Sequence, residues 1–191
     1  MEEKHSNLYK QYSEEIISEC DKTLKAVDVN SVDKYIEMVL KAKCIFFIGV
    51  GRVLFSLEAI AKRYNHIGLN SIVVGQVTEP AITKDDVLIV GSGSGERIIP
   101  CAIAKKAKEL GAKVIHIGSV INNPMDIYTD LFVRIPAQSV KGKTGEIISK
   151  QPMTSLFEQC LFLFGDITAM IIIEKKGLVL DKLWKRHANL E

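Results

Sequence analysis

The residues best suited to chemistry form a Ser/Gly-rich segment, GSGSGER, at positions 91–97. Ser92 and Ser94 supply hydroxyl donors. Gly93 and Gly95 let the backbone approach a ligand closely and adopt positive φ. These features predict a cradle for one phosphate group. The alternative is a flexible turn between a strand and a helix.

The residues after this segment favour the phosphate interpretation. A predicted helix follows, and Pro100 marks its first turn. Unpaired N–H groups and the positive end of the helix dipole would therefore point at the same place. Arg97 could add one fixed positive charge.

A second glycine-containing turn, GVGRVL at 49–54, includes Gly51 and Arg52, which we predict to bind substrate near a developing oxyanion. The turn does not match a dinucleotide fingerprint, because Leu54 replaces the third glycine and Gln76 follows the second strand where a carboxylate is required. The 91–97 segment also lacks the Gly-Lys-Ser/Thr ending of a P-loop. We predict no NAD, ATP or other cofactor.

Two ionisable residues are candidates for catalysis. Glu158 lies at the start of an apolar predicted helix, where the alternative is a capping box with Ser155. His187 lies on the apolar face of the last predicted helix, where the alternative is a packing role. His66 and His116 are predicted to be structural. No His or carboxylate spacing indicates a metal site.

The elements that must position these residues follow an alternating pattern. Residues 5–42 have helical spacing with a break near 27–31, and two predicted helices therefore precede the first strand. Short apolar runs without polar alternation predict strands buried on both faces, with helices between them. The predicted strands are Cys44–Val50, Ser71–Gly75, Val87–Val90, Lys113–Ile117 and Leu131–Ile135.

This alternation predicts a flavodoxin-like three-layer α/β/α sandwich with a five-stranded parallel sheet and extra helices at both ends. We expect one domain over 1–191, with N-terminal helices in 1–42, the sheet core in 43–137 and C-terminal helices in 152–191. A polar loop at 139–151 precedes a helix from Ser155 to about Lys176, and the last helix is predicted over Asp181–Leu190.

The composition excludes some partners. The 25 basic and 23 acidic residues are interspersed, which gives no field to attract nucleic acid or an anionic membrane. The polar N-terminus does not look like a signal peptide, and four dispersed cysteines indicate reduced thiols, so we expect a cytoplasmic protein.

The apolar run Leu161–Ile173 is too short to span a bilayer and predicts a buried helix. The helix around it is apolar almost all round, which predicts a dimer or tetramer.

Four segments of the chain resemble the sugar isomerase (SIS) domain family, and most of all its 6-phospho-3-hexuloisomerase branch. They are Gly49-Val-Gly-Arg, Ser92-Gly-Ser-Gly, Gln151-Pro-Met-Thr-Ser-Leu-Phe-Glu-Gln and Arg186-His-Ala-Asn-Leu-Glu. The similarity covers nearly all of the chain from about residue 35.

The resemblance implies a homotetramer that binds a phosphorylated sugar in the Ser-Gly-Ser-Gly loop and isomerises it through an enediol without metal or cofactor. It also implies that Glu158 moves the substrate proton and that His187 reaches the site from a neighbouring subunit.

The sequence departs from the hexuloisomerase pattern at three places in the chain. Val53 and Leu54 replace Ser-Gly, Gln76 replaces a glutamate, and Arg97 replaces a threonine that usually contacts phosphate. Because of these departures, one alternative is an isomerase of the same family that acts on a different phosphosugar. A non-catalytic sugar-phosphate sensor is the other alternative, although the N-terminal residues are too few and too balanced in charge to form a DNA-binding module.

Overall fold

The computed structural model describes residues 2–139 and 145–190, so the predicted polar loop lies partly outside the described residues. These residues form six α-helices and five strands, with a 3₁₀ helix at Pro124–Tyr128 before the last strand and another at Trp184–Arg186. No helix of the described residues joins the second and third strands, contrary to the predicted alternation. The elements are α1 (Glu2–Lys25), α2 (Val29–Lys41), β1 (Ile45–Ile48), α3 (Arg52–His66), β2 (Ser71–Val73), β3 (Val87–Gly91), α4 (Ile98–Glu109), β4 (Lys113–Gly118), β5 (Leu131–Arg134), α5 (Ser155–Lys175) and α6 (Leu180–Leu183).

All five strands are parallel and lie in the order β2-β1-β3-β4-β5. This is the doubly wound order of flavodoxin-like sheets, and it confirms the predicted fold class. The order reverses between β1 and β3, which lie side by side although β2 separates them in the chain. In such a sheet the crevice beyond the carboxyl ends of these two strands is the usual binding place.

Each face of the sheet carries its own core, because alternate strand residues point to opposite faces. Phe47 and Ile89 pack with α2, α3 and α5 on one face. Phe46 and Leu88 pack with α4 on the other. Burial on both faces explains why the predicted strands lack polar alternation.

Helices α3 and α5 are in direct contact at Gly165. A Cβ atom at Gly165 would lie 2.1 Å from Cγ1 of Ile60, so only glycine permits this approach. Buried hydroxyls join the neighbouring turns: the Tyr64 hydroxyl lies 2.9 Å from that of Tyr35 in α2 and 2.8 Å from that of Thr168 in α5. Burial raises the pKa of Tyr64 to about 12, so the hydroxyl stays protonated. These contacts fix the positions of α3 and α5 relative to each other.

Helix α5 is longer than the apolar run within it. Its 21 residues are long and apolar enough to cross a membrane, a property that buried core helices share. In its most apolar window, 56% of the residues are buried inside the molecule.

The C-terminal prediction was wrong. The single helix expected over Asp181–Leu190 is instead the short α6 followed by a 3₁₀ turn that ends at Arg186. The backbone of His187 is extended, with φ −69° and ψ 146°. The helical spacing of the apolar side chains continues past Arg186, but the helical hydrogen bonds do not. The spacing alone therefore could not predict where the helix ends.

Candidate active site

The crevice at the sheet reversal contains a cavity of about 520 Å³. The turns after β1 and β3 form one wall, and the segment that leads into α5 forms the other. The predicted site residues Gly51, Arg52, Ser92, Gly93, Ser94, Arg97 and Glu158 all line this cavity, together with Val50, Val53, Gly91, Ser119, Gln138, Ser139, Phe157 and residues 152–155.

The segment after β3 has features of an anion-binding loop. Gly95 has φ +66°, and a Cβ there would lie 2.0 Å from Oδ1 of Asn123, so glycine is required at this turn. Gly93, by contrast, does not have the positive φ that we predicted. Helix α4 begins at Ile98 with Arg97 as its N-cap, and no side chain caps it. Its first N–H groups are therefore available to an anion.

Both serine hydroxyls of this loop accept hydrogen bonds from its backbone. The amide N–H of Gly95 donates to Oγ of Ser92 at 3.2 Å, and that of Glu96 donates to Oγ of Ser94 at 3.3 Å. Because each oxygen accepts, the hydroxyl hydrogens can be donated to a ligand. Ser92 is only 3% exposed. Its hydroxyl therefore stabilises the loop through Gly95 in addition to lining the cavity.

Glu158, in the first turn of α5, is only 8% exposed, and its carboxylate has two side-chain partners. Nε of Arg52 donates to Oε2, and the hydroxyl of Thr154 donates to Oε1 at 3.1 Å. The capping-box alternative with Ser155 is wrong, since the N-cap is Thr154 and makes no side-chain cap bond. The hydroxyl of Ser56 in α3 also donates to the carbonyl of Glu158 at 2.9 Å.

The turn after β1 places Arg52 at the start of α3. Gly51 is the N-cap with φ +60°, so glycine suits this position. The Arg52 side chain is 67% exposed, so it contacts Glu158 while keeping N–H groups open to the cavity. Val53, one of the three departures, packs beside Gly91, where a Cβ would lie 2.9 Å from Cγ1 of Val53. The helix start is therefore closely packed against the end of β3.

Gln76 and His187 both lie away from the cavity. Gln76 is exposed and does not line it. His187 lies at the opposite end of α3 from Arg52, where its ring stacks on His66 with centroids 5.2 Å apart. A 15-residue helix is about 22 Å long, so His187 does not reach the cavity of its own chain.

Sequence reasoning missed the residues that support the second wall. Glu19 of α1, 8% exposed, accepts hydrogen bonds from the hydroxyl of Ser149 (2.6 Å), the backbone N–H of Lys150 (2.8 Å) and the amide of Gln151 (2.9 Å). These bonds outweigh the effect of burial and lower the pKa of Glu19. The segment that they fix leads directly into Thr154. A carboxylate on an N-terminal helix carries no sequence signal for such a role.

An apolar groove adjoins the cavity. Its volume is about 800 Å³, and Ile16, Ile17 and Leu24 of α1, Phe55 of α3, and Phe162 and Leu163 of α5 line it. Arg52 and Glu158 lie at the boundary, because they line both the groove and the cavity. Within the described residues, no group of three or more His, Cys, Asp or Glu side chains is placed to hold a metal ion.

Fold and site together define a doubly wound α/β sandwich with a cavity at the reversal of its sheet, and the chain belongs to the SIS domain family, which matches residues 38–164. It is 33% identical over 181 residues to the 3-hexulose-6-phosphate isomerase of Bacillus subtilis (strain 168), covering 95% of this chain and 98% of the relative. It is 35% identical over 161 residues to the enzyme of that name from Methanocaldococcus jannaschii, covering 84% of each chain.

Solved structures agree with this assignment. A hypothetical protein of Methanococcus jannaschii, whose crystal structure infers a molecular function of 3-hexulose-6-phosphate isomerase, is 30% identical and has a TM-score of 0.83. The alignment covers 95% of this chain and 99% of that one. The chain is also 29% identical over 143 residues to an uncharacterized HTH-type transcriptional regulator of Clostridium perfringens, but it spans only 51% of that protein.

Proposed function

We propose that the protein is a sugar-phosphate isomerase that interconverts 3-hexulose 6-phosphate and fructose 6-phosphate, with no cofactor. One observation carries the proposal: the buried carboxylate of Glu158, paired with Arg52, opens into the same cavity as the Ser/Gly loop and the uncapped start of α4. The relatives aligned over almost the whole chain supply the choice of sugar. A cytoplasmic role in the ribulose monophosphate pathway fits this activity.

The loop residues Ser92 to Gly95 would bind the phosphate. A phosphate dianion there would accept hydrogen bonds from the two serine hydroxyls and from the first N–H groups of α4. The positive end of the helix dipole at this place also favours a negative charge. Arg97 at the N-cap would add a positive charge. With the phosphate held at this end, the sugar carbons extend toward Glu158 across the cavity.

Glu158 would move the carbon-bound proton. It removes the proton from C2 of the 3-hexulose, the C–H electron pair becomes the C2=C3 bond, and the carbonyl oxygen on C3 takes a proton to give the enediol. Glu158 then returns its proton to C3 while the hydroxyl on C2 loses its own and becomes the new carbonyl. One base can serve both carbons because they are adjacent. Arg52 would stabilise the negative charge on the enediolate oxygens.

The same site predicts where solvent hydrogen enters. In D₂O the protein is expected to replace the C3 proton of fructose 6-phosphate with deuterium, because that proton is the one removed in the reverse direction. Proton NMR of the sugar checks this directly. Exchange at C1 alone would indicate an aldose–ketose isomerase of the same family. Binding without exchange at any carbon would favour the sensor.

The hydroxyl protons need a second group, and we propose His187 of a neighbouring copy. His187 is exposed on its own chain and lies far from its own cavity. The apolar groove beside Glu158 leaves large side chains open to solvent, including Phe55 at 67% exposure and Phe162 at 42%. A second copy of this chain in the groove would cover them, and it would form a dimer or tetramer.

We expect light scattering at micromolar concentration to give a multiple of the 21.2 kDa chain mass. A mass near that of one chain would contradict the assembly. If two copies share each site, mixing inactive Glu158→Gln and His187→Ala chains should restore activity. A random equal mixture would leave about a quarter of the sites intact. No recovery after subunit exchange would show that His187 does not act in a partner's site.

A further inference from the structure

His116 lies beneath the Ser/Gly loop, at a position that the proposed chemistry leaves without a role. It is fully buried in β4, on the face of the sheet that packs against α4. Its Nε2 atom lies 2.8 Å from the backbone carbonyl oxygen of Ser92. The ring of Phe132, its partner in β5, packs beside it with centroids 5.0 Å apart.

This contact sets the protonation of the imidazole. A carbonyl oxygen only accepts, so Nε2 carries the hydrogen and donates it to Ser92. Nδ1 is buried and has no hydrogen-bond partner among the residues that the structure describes. Burial lowers the pKa of His116, so the ring is neutral. The bond to Ser92 is therefore the one hydrogen bond that the His116 side chain makes within the described residues.

Gly118 makes room for this contact. Residues 116 and 118 lie on the same face of β4, two positions apart. A Cβ atom at Gly118 would lie 2.6 Å from Nε2 of His116 and 2.7 Å from the carbonyl oxygen of Ser92. Any other residue at position 118 would thus push the His116 ring or the loop away. Glycine at this position leaves room for the ring to reach the carbonyl of Ser92.

Peptide geometry determines in which direction the amide N–H groups of Gly93 and Ser94 point. A trans peptide is planar, with its C=O and N–H on opposite sides. The carbonyl oxygen of Ser92 accepts hydrogen bonds from Nε2–H of His116, beneath the loop, and from the N–H of Gly95. Because this carbonyl points toward His116, the N–H of Gly93 in the same peptide must point to the opposite side, toward the cavity. The next carbonyl, that of Gly93, accepts the N–H groups of Ser119 and Val120, which turns the N–H of Ser94 the same way.

Neither of these two amides has a hydrogen-bond partner within the described ranges, 2–139 and 145–190. Two successive free N–H groups on one side of a loop form a concave anion site. We propose that His116 is a positioning residue of the phosphate loop: its Nε2–H holds the Ser92–Gly93 peptide so that the amides of Gly93 and Ser94 face a bound phosphate. The assignment rests on the proposed function of this loop.

Replacing His116 by Gln or by Asn separates this role from simple packing. The Gln amide nitrogen can reach the place of Nε2, whereas the shorter Asn places its nitrogen near Nδ1. We expect His116→Asn to weaken fructose 6-phosphate binding by about tenfold, as for one lost charge-assisted hydrogen bond, and to raise KM with little change in kcat. His116→Gln should stay within about threefold of the wild type.

A Phe132→Leu control perturbs the packing around the ring without touching Ser92. It should lower the melting temperature and leave affinity unchanged. In the wild type, the amide protons of Gly93 and Ser94 should move downfield in NMR spectra when inorganic phosphate or fructose 6-phosphate is added.

The outcomes separate the two proposals. If the wild type binds neither inorganic phosphate nor fructose 6-phosphate, the proposed function and the role of His116 both fail. If the wild type binds but the Asn and Gln variants bind equally well, or the two amides do not respond, only the role of His116 is wrong. Equal loss of affinity in the Asn, Gln and Phe132→Leu variants would show general packing damage and would also overturn it.

Discussion

Replacing Glu158 with Gln is expected to lower turnover and deuterium exchange by at least a thousandfold, or about 4 kcal/mol of transition-state stabilisation. The Gln side chain keeps the shape of Glu158 and can still accept from Arg52, but it cannot take a carbon-bound proton. Affinity for fructose 6-phosphate should stay within a few-fold, because the proposed phosphate site is the Ser/Gly loop and not Glu158. Progress curves and exchange NMR give the rates, and calorimetry gives the affinity.

Asp166→Asn is the matched control for this variant. Asp166 lies on the same helix and also pairs with an arginine, Arg63 at 3.5 Å, but it lines neither the cavity nor the groove. The control should exchange deuterium at the wild-type rate. Near-normal exchange in Glu158→Gln would remove Glu158 as the base. A combined loss of affinity and exchange would instead place it in substrate binding.

The double replacement of Ser92 and Ser94 by Ala is expected to weaken sugar-phosphate binding by a hundredfold or more. Two charge-assisted hydrogen bonds are lost, at roughly 1.5–3 kcal/mol each. The fold should survive, since the remaining loop bonds run between backbone groups and from His116. Calorimetry with fructose 6-phosphate measures the change, and circular dichroism verifies the fold.

Ser71→Ala provides the comparison. Its hydroxyl is buried and donates to the carbonyl of Ala61 at 2.6 Å, far from the cavity. This variant should lose stability and keep its affinity. If the double variant binds fructose 6-phosphate as well as the wild type does, the loop is a turn and the phosphate lies elsewhere.

The sequence was sufficient to predict the sheet, because a strand buried on both faces has to be apolar throughout. The apolar runs therefore marked all five strands, and the glycine turns after β1 and β3 marked the edge where the cavity lies. The surroundings of Glu158 were less accessible to prediction. Thr154 lies within the same motif, but Arg52 lies 106 positions away, and only the contact between α3 and α5 brings it to the carboxylate.

The predictions that failed concern residues whose conformation or contacts depend on distant parts of the chain or on where a helix ends. Gly93 was expected to need positive φ, but the turn in the loop occurs at Gly95, where Asn123 leaves no space for a side chain. His187 was placed on a helix because its apolar neighbours have helical spacing, yet the chain leaves helical geometry after Arg186. Glu19 gave no signal at all, since its partners lie 130 positions or more along the chain.

The close contact of α3 and α5 at Gly165 is also the point about which the two helices would tilt relative to each other. Glu158 lies seven residues before Gly165, and Arg52 lies eight before Ile60, so each is about 10–12 Å along its helix from the contact. A tilt of roughly 5° about that point would move either side chain by about 1 Å, enough to cost about a hundredfold in rate. The reaction proposed for Glu158 and Arg52 would therefore depend on the packing at Gly165, which lines neither the cavity nor the groove.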